Sequence, residues 1–358
     1  MRTLDIAHQR LHNQGLSSQD LKKPGEVVKW LGAVQAQDYY GAKWALGQRT
    51  KSLTDGDVEK AFSDGQILRT HVMRPTWHFV TPADIRWLLR LTAPRVNVAC
   101  SHYYRKLELD ESVFRRSNKA LARALQGGKH LTRETLRTVI QRAGIASDDL
   151  LRSTYLILRA ELDGLICSGP RIGKQFTYGL LDERVPQGKA LGNDEALAEL
   201  TRRYFTSHGP ATASDFIWWS GLTATDVKKG LEIVKRDLVK EVVDSKTFWL
   251  SSSTTTMKRA SRDVFLLPGF DEYLIAYADR SAVIDPKYSK RPTRENFVFN
   301  SIIVWDGRLV GTWNRKIEKT SVTITLSPLA PFSKTQTLAI AEAARRYGEF
   351  LGMPTVVR

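Results

Sequence analysis

Apolar and polar positions along the first eighty residues predict two helices and a hairpin. Apolar residues recur at helical spacing over 27–34, and a second helical pattern follows over 54–62. Pro24 suits the first turn of the earlier helix, and Thr54 is a good N-cap for the later one. Residues 67–81 then end in alternation rich in β-branched and aromatic side chains, which predicts a short hairpin.

The same order of elements returns twice. Helical patterns over 131–140 and 156–162 precede two short strands at 164–167 and 175–178, and residues 195–250 repeat helices followed by a hairpin. Helix, helix and hairpin is the order of a winged-helix module. Recurrence of one supersecondary unit indicates a repeat architecture, so the pattern predicts three winged-helix modules in tandem.

Strands dominate the pattern after the polar spacer 251–256. Residues 264–267 read as a buried strand, and 302–313 read as a hairpin around an Asp-Gly turn, the strongest short-range hairpin signal. Residues 321–326 alternate as a strand, and 339–351 predict a final helix. Several short strands with one helix favour a small barrel-like domain.

The predicted fold is therefore α+β, with three tandem winged-helix domains followed by a small β-barrel-like C-terminal domain. A length of 358 residues agrees with several domains rather than one. The predicted bounds are 1–110 for the first winged-helix domain, 111–190 for the second, 191–253 for the third and 254–358 for the β-rich domain with its C-terminal helix.

The charge balance points to a polyanionic partner. Lys and Arg number 54 against 38 Asp and Glu, a formal net charge of +16. Such a surplus concentrates polyanions, nucleic acid first and anionic membrane second, although a surface that is merely basic has the same composition. The densest stretch runs from 105 to 142, where phosphate contact and an ordinary solvated helix face are equally good interpretations.

Other features exclude several classes of protein. Two cysteines 67 residues apart, without a CxxC motif or a Cys/His pair at ligand spacing, argue against a disulfide framework and a structural zinc site. The N-terminal residues lack the apolar region of a signal peptide, and no apolar run is long enough to span a membrane. We expect a cytoplasmic protein that does not bind membranes. The usual metal, P-loop and dinucleotide motifs are missing, so no cofactor is indicated.

Several stretches resemble the AlkZ-like family of tandem winged-helix DNA glycosylases, and the resemblance covers nearly the whole chain. The matching stretches are residues 31–50, Met73-Arg74-Pro75-Thr76-Trp77-His78-Phe79-Val80, Leu267-Pro268-Gly269-Phe270-Asp271-Glu272-Tyr273 with Asp279-Arg280, and Val304-Trp305-Asp306-Gly307 with Gly311-Thr312-Trp313. The resemblance implies a monofunctional glycosylase of base excision repair. Its implied substrates are bulky N7-alkylated purines in double-stranded DNA and, in some members, interstrand crosslinks.

The family's catalytic motif is a glutamine, an apolar residue, and a second glutamine or an aspartate, which falls here on Gln35-Ala36-Gln37. Residues i and i+2 of one helix point about 200° apart, so both side chains cannot face one site within a helix. The helix should end at or between them, and we expect 38–41 to supply the stop. Without the resemblance, both glutamines would read as ordinary polar residues at a helix end.

Other residues are weaker candidates for the site. Asp38, Asp271 and Tyr273 are candidates for catalytic support, with capping, ion pairing and structural hydrogen bonding as the competing interpretations. A further set of residues is predicted to contact the lesion or the DNA. The alternative is that these residues pack in the core or are ordinary basic residues on the surface. That set is Arg69, His71, Arg74, Trp77, His78, Lys258, Arg259, Arg280, Asn314 and Arg315.

Two other functions compete with a glycosylase. Winged helices are more often regulators than enzymes, so a non-catalytic DNA-binding protein is the main alternative. A structural adaptor of repair complexes is another. Three modules in one chain would let the protein act as a monomer. The preferred adduct and the choice between antibiotic self-resistance and general repair are open at this point.

Overall fold

The predicted mixture of helices and strands is confirmed. The computed structural model describes residues 3–188, 190–254, 263–289 and 297–358. The helices are α1 (Thr3–Asn13), α2 (Pro24–Leu31), α3 (Tyr39–Gln48), α4 (Asp55–Ser63), α5 (Pro82–Lys106), α6 (Glu111–Leu125), α7 (Arg133–Arg142), α8 (Leu150–Leu162), α9 (Leu181–Arg184), α10 (Asn193–Ser207), α11 (Ala213–Ser220), α12 (Ala224–Val234), α13 (Glu272–Ile275), α14 (Pro286–Ser289) and α15 (Lys334–Leu351). The strands are β1 (Val34–Gln35), β2 (Leu68–Val72), β3 (Arg74–Val80), β4 (Leu131–Thr132), β5 (Ile166–Ser168), β6 (Thr177–Leu180), β7 (Leu238–Val243), β8 (Lys246–Ser251), β9 (Val264–Leu267), β10 (Ile302–Trp305), β11 (Arg308–Ile317), β12 (Val322–Pro328) and β13 (Thr355–Val357).

The chain divides into two compact units. The first comprises Met1–Glu59, Ala198–Trp219 and Thr223–Arg358, and the second comprises Lys60–Leu197 and Ser220–Leu222. The first unit therefore brings together three segments that are far apart in sequence, and it contains both the glutamine motif and the strands near the C-terminus.

A five-stranded sheet forms the centre of the first unit. Its order is β13-β12-β11-β10-β9, in which β12 and β13 are parallel and the other neighbours are antiparallel. The predicted Asp-Gly turn joins β10 to β11, with φ of 48° at Asp306 and 76° at Gly307. Two successive residues with positive φ match the twist of a hairpin, which is why this dipeptide is found there. Leu11, Leu16 and Leu274 pack with apolar residues of this sheet in one buried cluster.

Aromatic side chains fix α3 and α15 to this sheet. The Trp44 ring lies 5.0 Å from Tyr347 and 5.1 Å from Phe350, centroid to centroid. Its indole N–H donates to the carbonyl of Leu266 at 2.7 Å, and the indole of Trp313 donates to Leu267 at 2.9 Å. Both indoles thus bury a large apolar area while their polar atoms are satisfied by β9. These contacts of Trp44 hold α3, the helix that follows the glutamine motif, against β9 and α15.

The second unit contains two of the predicted hairpins. β2 and β3 form an antiparallel hairpin, and β4, β6 and β5 form a three-stranded sheet in that order. The 25-residue helix α5, which the sequence pattern did not predict, packs against β2, β3 and α8. None of the helices in the described ranges is long and apolar enough to cross a membrane.

A buried ion pair ties the N-terminal segment of the first unit to the β-rich segment. The Arg49 guanidinium donates to both carboxylate oxygens of Asp271, at 2.9 Å each, and both side chains are buried. A bidentate arginine–carboxylate pair is among the strongest hydrogen-bonded arrangements in proteins. If one partner is removed, the other is left as an uncompensated buried charge.

Asp271→Ala should therefore lower the free energy of unfolding by about 3–5 kcal/mol. The measurement is urea denaturation followed by tryptophan fluorescence. Glu342→Ala is the matched control, because Glu342 pairs with Arg345 on the exposed surface of α15, and its removal should have no measurable effect. Equal losses in the two variants would contradict the role given to the buried pair.

Candidate active site

The glutamine motif lies on an extended segment between two helices. α2 ends at Leu31 because Gly32 adopts φ of 81°, a conformation that other residues avoid. Gln35 ends β1, and Gln37 follows in a bend. The expectation that a helix ends at or between the two glutamines was wrong, because α2 ends at Leu31, before the motif, and neither glutamine lies in a helix.

The predicted helix stop at 38–41 was wrong, because this segment starts α3. The Asp38 carboxylate accepts a hydrogen bond from the Gly41 N–H at 3.0 Å, which is an N-cap. A Cβ at Gly41 would lie 2.5 Å from Asp38 Oδ2 and 3.2 Å from Pro268 Cβ, so the cap requires glycine here.

The extended backbone removes the geometric difficulty of a helical motif. In an extended chain, residues i and i+2 lie on the same side, whereas a helix separates them by about 200°. Gln35 is 5% exposed and Gln37 is exposed. The two amides therefore lie at different depths, one in the protein interior and one at its surface.

A buried carboxylate holds the backbone at Gln35. The Gln35 N–H donates to Glu272 Oε1 at 3.0 Å, and the Trp219 indole N–H donates to Glu272 Oε2 at 2.8 Å. His208 Nε2 lies 3.4 Å from Glu272 Oε2. Glu272, Trp219 and His208 are all fully buried. Glu272 thus links the motif to α11 and to the end of α10.

Further hydrogen bonds extend from Glu272 to the buried ion pair. Gln14 Nε2 donates to the carbonyl of Glu272 at 3.3 Å and to the Tyr277 hydroxyl at 2.9 Å. Arg49, which binds Asp271, also donates to Gln14 Oε1 at 3.0 Å. The side chains around the motif therefore belong to one connected polar network, and such networks rigidify a site when their members are satisfied.

The side-chain oxygen of Gln35 differs from this network. Gln35 Oε1 is buried and accepts no hydrogen bond from the described part of the chain. A buried acceptor without a partner costs free energy, so it is an unusual feature of a folded protein. The carbonyl oxygen of an amide held in this way can accept a hydrogen bond from a water molecule, while its NH₂ group donates elsewhere.

Asp38 is engaged with a basic residue of β11. Arg315 donates to Asp38 Oδ2 at 3.3 Å, and its guanidinium lies 5.9 Å from the centroid of the Tyr347 ring. Asp38 keeps 38% of its side chain exposed. Its carboxylate therefore caps α3, pairs with Arg315 and still reaches the surface next to Gln37.

No group of three His, Cys, Asp or Glu side chains in the described ranges is arranged to hold a metal ion. Both cysteines, Cys100 and Cys167, are buried free thiols. Burial raises the pKa of the Cys167 thiol to about 12. The polar side chains described at the motif are the amides of Gln35 and Gln37 and the carboxylates of Asp38 and Glu272.

Comparison with known proteins identifies the family. The family described as DNA glycosylase AlkZ-like matches residues 28–350. The chain belongs to the AlkZ-like DNA glycosylase family. Membership makes it a DNA glycosylase, a hydrolase of N-glycosidic bonds, and favours the enzyme over the regulatory alternative. The resemblance found in the sequence motifs is confirmed.

A curated protein and a solved structure, both from Streptomyces sahachiroi, are similar to this chain over nearly its whole length. One, named an interstrand DNA cross-link repair glycosylase, is 26% identical over 348 residues, which is 92% of this chain and 91% of the relative. The solved structure of the DNA glycosylase AlkZ superposes with a TM-score of 0.81 at 21% identity and covers all of both chains. The fold of this AlkZ-like chain is therefore that of the solved enzyme.

Asp271 and Tyr273, predicted as supporting residues, lie in the structural network. Asp271 binds Arg49 and also accepts from the Tyr273 N–H at 2.9 Å, which caps α13. The buried Tyr273 hydroxyl donates to the carbonyl of Gly307 at 2.9 Å. Both residues therefore act on α13, the helix that carries Glu272.

Of the predicted contact residues of the first unit, Arg280 contacts α13 and Asn314 lies on β11. Arg280 donates from Nε to the carbonyl of Leu274, and its guanidinium lies 5.3 Å from the centroid of the Trp218 ring. Asn314 is exposed on β11. Lys258 and Arg259 lie outside the described residues.

The predicted contact residues of the second unit lie on the β2–β3 hairpin. Arg69, His71 and His78 are buried, whereas Arg74 and Trp77 are half-buried. The Arg69 guanidinium lies 4.2 Å from the centroid of the Trp77 ring, and His71 Nδ1 is hydrogen-bonded to the Glu161 carboxylate. These contacts hold the hairpin within its own unit, and a role in lesion binding stays a prediction.

Sequence reasoning missed Glu272, Trp219 and His208. Glu272 lies between Asp271 and Tyr273, the two residues predicted to support catalysis. Nothing in its spacing indicates a hydrogen bond to Gln35, which is 237 positions away. Trp219 and His208 read as ordinary members of a helical module. The one available signal was a carboxylate in an otherwise apolar run, which needs a partner when it is buried.

The pH dependence of stability should report on the buried imidazole next to Glu272. Desolvation by burial lowers the pKa of His208, and Glu272 offsets this only in part. In the unfolded chain a histidine takes up a proton near pH 6.5, so the unfolded state binds more protons below that value. The free energy of unfolding should therefore fall as the pH drops below about 6.5.

In His208→Gln, this fall between pH 6.5 and 5 should be smaller than in the unchanged protein. The measurement is the slope of unfolding free energy against pH. His102→Gln, at an exposed position of α5, is the control and should keep the original slope. The same slope in all three proteins would contradict the buried neutral histidine.

Proposed function

We propose that this glycosylase hydrolyses the N-glycosidic bond of bulky N7-alkylated purines in duplex DNA and unhooks interstrand crosslinks. The observation that carries the proposal is the buried, unpartnered amide oxygen of Gln35 at the end of β1, whose backbone Glu272 holds, followed two residues later by the exposed Gln37. The name of the Streptomyces relative supports the extension to crosslinks.

Two neutral amides suit a substrate that is already a good leaving group. Glutamine is not a base at pH 7, but an amide can accept a hydrogen bond from water and so orient it. Alkylation at N7 makes the purine cationic, so its departure needs no acid. As the C1′–N9 bond breaks and the neutral base leaves, water adds to C1′ of the oxocarbenium-like sugar and its extra proton passes to solvent. The enzyme has to orient this water, and orientation alone supplies several kcal/mol. An undamaged base would not leave under these conditions.

Asp38 supports the reaction electrostatically in this mechanism. Its carboxylate is half-exposed next to Gln37, so positive charge that develops on the sugar meets a nearby negative charge. The ion pair with Arg315 keeps the carboxylate in one orientation. We assign Asp271 and Tyr273 to positioning, because both act on the helix that carries Glu272.

A bulky adduct or a crosslink resists extrusion from the stack, because the attached group must move with the base. We therefore infer that the lesion stays largely within the duplex during hydrolysis. Arg69, His71, Arg74, Trp77, His78, Arg280 and Asn314 are proposed to contribute to lesion and DNA contact, with the half-buried Arg74 and Trp77 as the best placed.

We also propose that the fold is three tandem winged-helix modules, 1–110, 111–190 and 191–253, followed by a barrel-like domain, 254–358. Hairpins at β2–β3, β5–β6 and β7–β8 support this division, since each follows helices in the order of a winged-helix module. Three modules in one chain favour a monomer on duplex DNA.

Replacing both glutamines tests the mechanism. Gln35→Ala with Gln37→Ala should lower the single-turnover rate of base release by about 100-fold or more, because roughly 3 kcal/mol of orientation is lost. The substrate is a duplex carrying one bulky N7-alkylguanine, treated with base to cleave abasic sites. Affinity for the duplex should change less than about twofold.

Gln66→Ala, at an exposed glutamine of the second unit, is the control and should keep the full rate. Undiminished base release by the double variant would contradict the assigned roles of the two amides. Tight binding without base release by the unchanged protein, on alkylated and crosslinked duplexes alike, would favour a non-catalytic DNA-binding protein.

Glu272 should behave as a positioning residue for Gln35. Glu272→Ala leaves the N–H of Gln35 and the indole N–H of Trp219 without acceptors, at a cost of about 1–3 kcal/mol each. Glu272→Gln retains one acceptor oxygen. We expect the rate of base release at saturating enzyme to fall about tenfold in Glu272→Gln and further in Glu272→Ala, with DNA affinity unchanged.

Thermal melts of both variants separate positioning from unfolding, since rates are compared only at temperatures where each variant is folded. A folded Glu272→Ala variant with the full rate would contradict the positioning role. Partial recovery of the rate in Glu272→Gln relative to Glu272→Ala is the outcome that a purely structural role would not produce.

A further inference from the structure

Helix α6 of the second unit carries basic side chains on the face opposite its buried side. Phe114, Ser117, Leu121 and Leu125 are buried against the unit. Three exposed residues, Arg115, Lys119 and Arg123, recur at intervals of four and so follow one another along the other side. We call these three residues the α6 stripe.

The side chains of the α6 stripe do not stabilise the fold through polar contacts within the described residues. None of its three side chains forms an ion pair or hydrogen bond with the described residues. Neighbouring arginines do form contacts within the protein. Arg116 donates to the carbonyls of Ala143 and Gly144, and Arg159 pairs with Glu111 and Asp163.

The acidic side chains near the start of α6 also have partners other than the α6 stripe. Asp110 caps the helix by accepting from the Val113 N–H, and Glu111 binds Arg159. The three charges of the α6 stripe are therefore not neutralised by neighbouring side chains. They lie within 105–142, the stretch with the largest local surplus of basic residues.

We propose that the α6 stripe binds the phosphate backbone of duplex DNA. A rise of 1.5 Å per residue places successive members about 6 Å apart and extends the row over about 12 Å. A duplex presents a negative charge every 1.7 Å of its axis, so a straight row of cations finds a phosphate for each member. The inference rests on the proposed function only in taking duplex DNA as the partner.

A membrane surface is the less suitable partner for this face. An interfacial helix buries large apolar residues beside its basic ones. No member of α6 is among the exposed large hydrophobic residues of the described chain. The α6 stripe thus offers charge without an apolar anchor, which suits phosphates and contributes affinity independent of base sequence.

The test compares two triple variants of equal net charge. One removes the α6 stripe: Arg115→Gln, Lys119→Gln, Arg123→Gln. The control removes three exposed cations that already have acidic partners: Lys60→Gln, Lys235→Gln, Arg345→Gln. Each variant lowers the formal net charge from +16 by three. Affinity for an undamaged duplex is measured by fluorescence anisotropy between 50 and 200 mM salt.

Loss of three phosphate contacts should reduce the slope of log affinity against log salt by about 2.7, at about 0.9 for each contact. The fall in affinity between 50 and 200 mM salt should then be roughly 40-fold smaller than in the unchanged protein. The control variant should keep the original slope. Base release at saturating enzyme should be unchanged in both variants, because the α6 stripe plays no part in the chemistry.

An unchanged slope in the α6 variant would overturn the proposal, and so would equal reductions in both variants, which would assign the effect to net charge. Loss of binding to phosphatidylserine vesicles, with the duplex slope intact, would overturn it in favour of a membrane. If the unchanged protein releases no base, the proposed function fails, whereas the slopes on undamaged duplex still decide the role of the α6 stripe.

Discussion

The buried carboxylate of Glu272 is the constraint on which the site depends. It accepts from the backbone of Gln35 and from the Trp219 indole, and it lies beside His208, so three segments of the first unit meet at one side chain. A fully buried carboxylate needs donors around it, and this need fixes the strand that carries the glutamine motif. The bidentate pair of Arg49 with Asp271 then fixes the helix on which Glu272 stands.

This arrangement separates two tasks that enzymes often give to the same groups. Acidic and basic side chains, namely Glu272, Arg49 and Asp271, hold the segment that carries the motif. The groups proposed to orient water are the neutral amides of Gln35 and Gln37. Glu272 holds this segment despite the unsatisfied acceptor at Gln35, because it accepts from both the Gln35 backbone N–H and the Trp219 indole. In the proposed mechanism, such a site relies on the reactivity of its substrate and on geometry rather than on a general base.

Much of the local structure follows from the sequence, and much of the site does not. Pro24, Thr54 and the Asp306-Gly307 turn act through bonds to residues a few positions away, so their roles could be predicted. The long helix α5 was missed because its apolar pattern is diluted by charged residues and Pro94. Gln35 and Gln37 were found through the family resemblance. Glu272 and Trp219 act through bonds that span hundreds of positions or depend on burial, and no spacing in the chain encodes them.

The distance in sequence between Gln35 and Glu272 determines when the site can form during protein synthesis. The two residues are 237 positions apart, and ribosomes add roughly 5–20 residues per second. About 10 to 50 s therefore pass between synthesis of the motif and synthesis of the carboxylate that holds it. The whole sequence of the second unit lies between them and is synthesised in that interval. A chain whose synthesis stops before residue 272 would carry the glutamine motif without the carboxylate that holds it, so the site is organised late in synthesis.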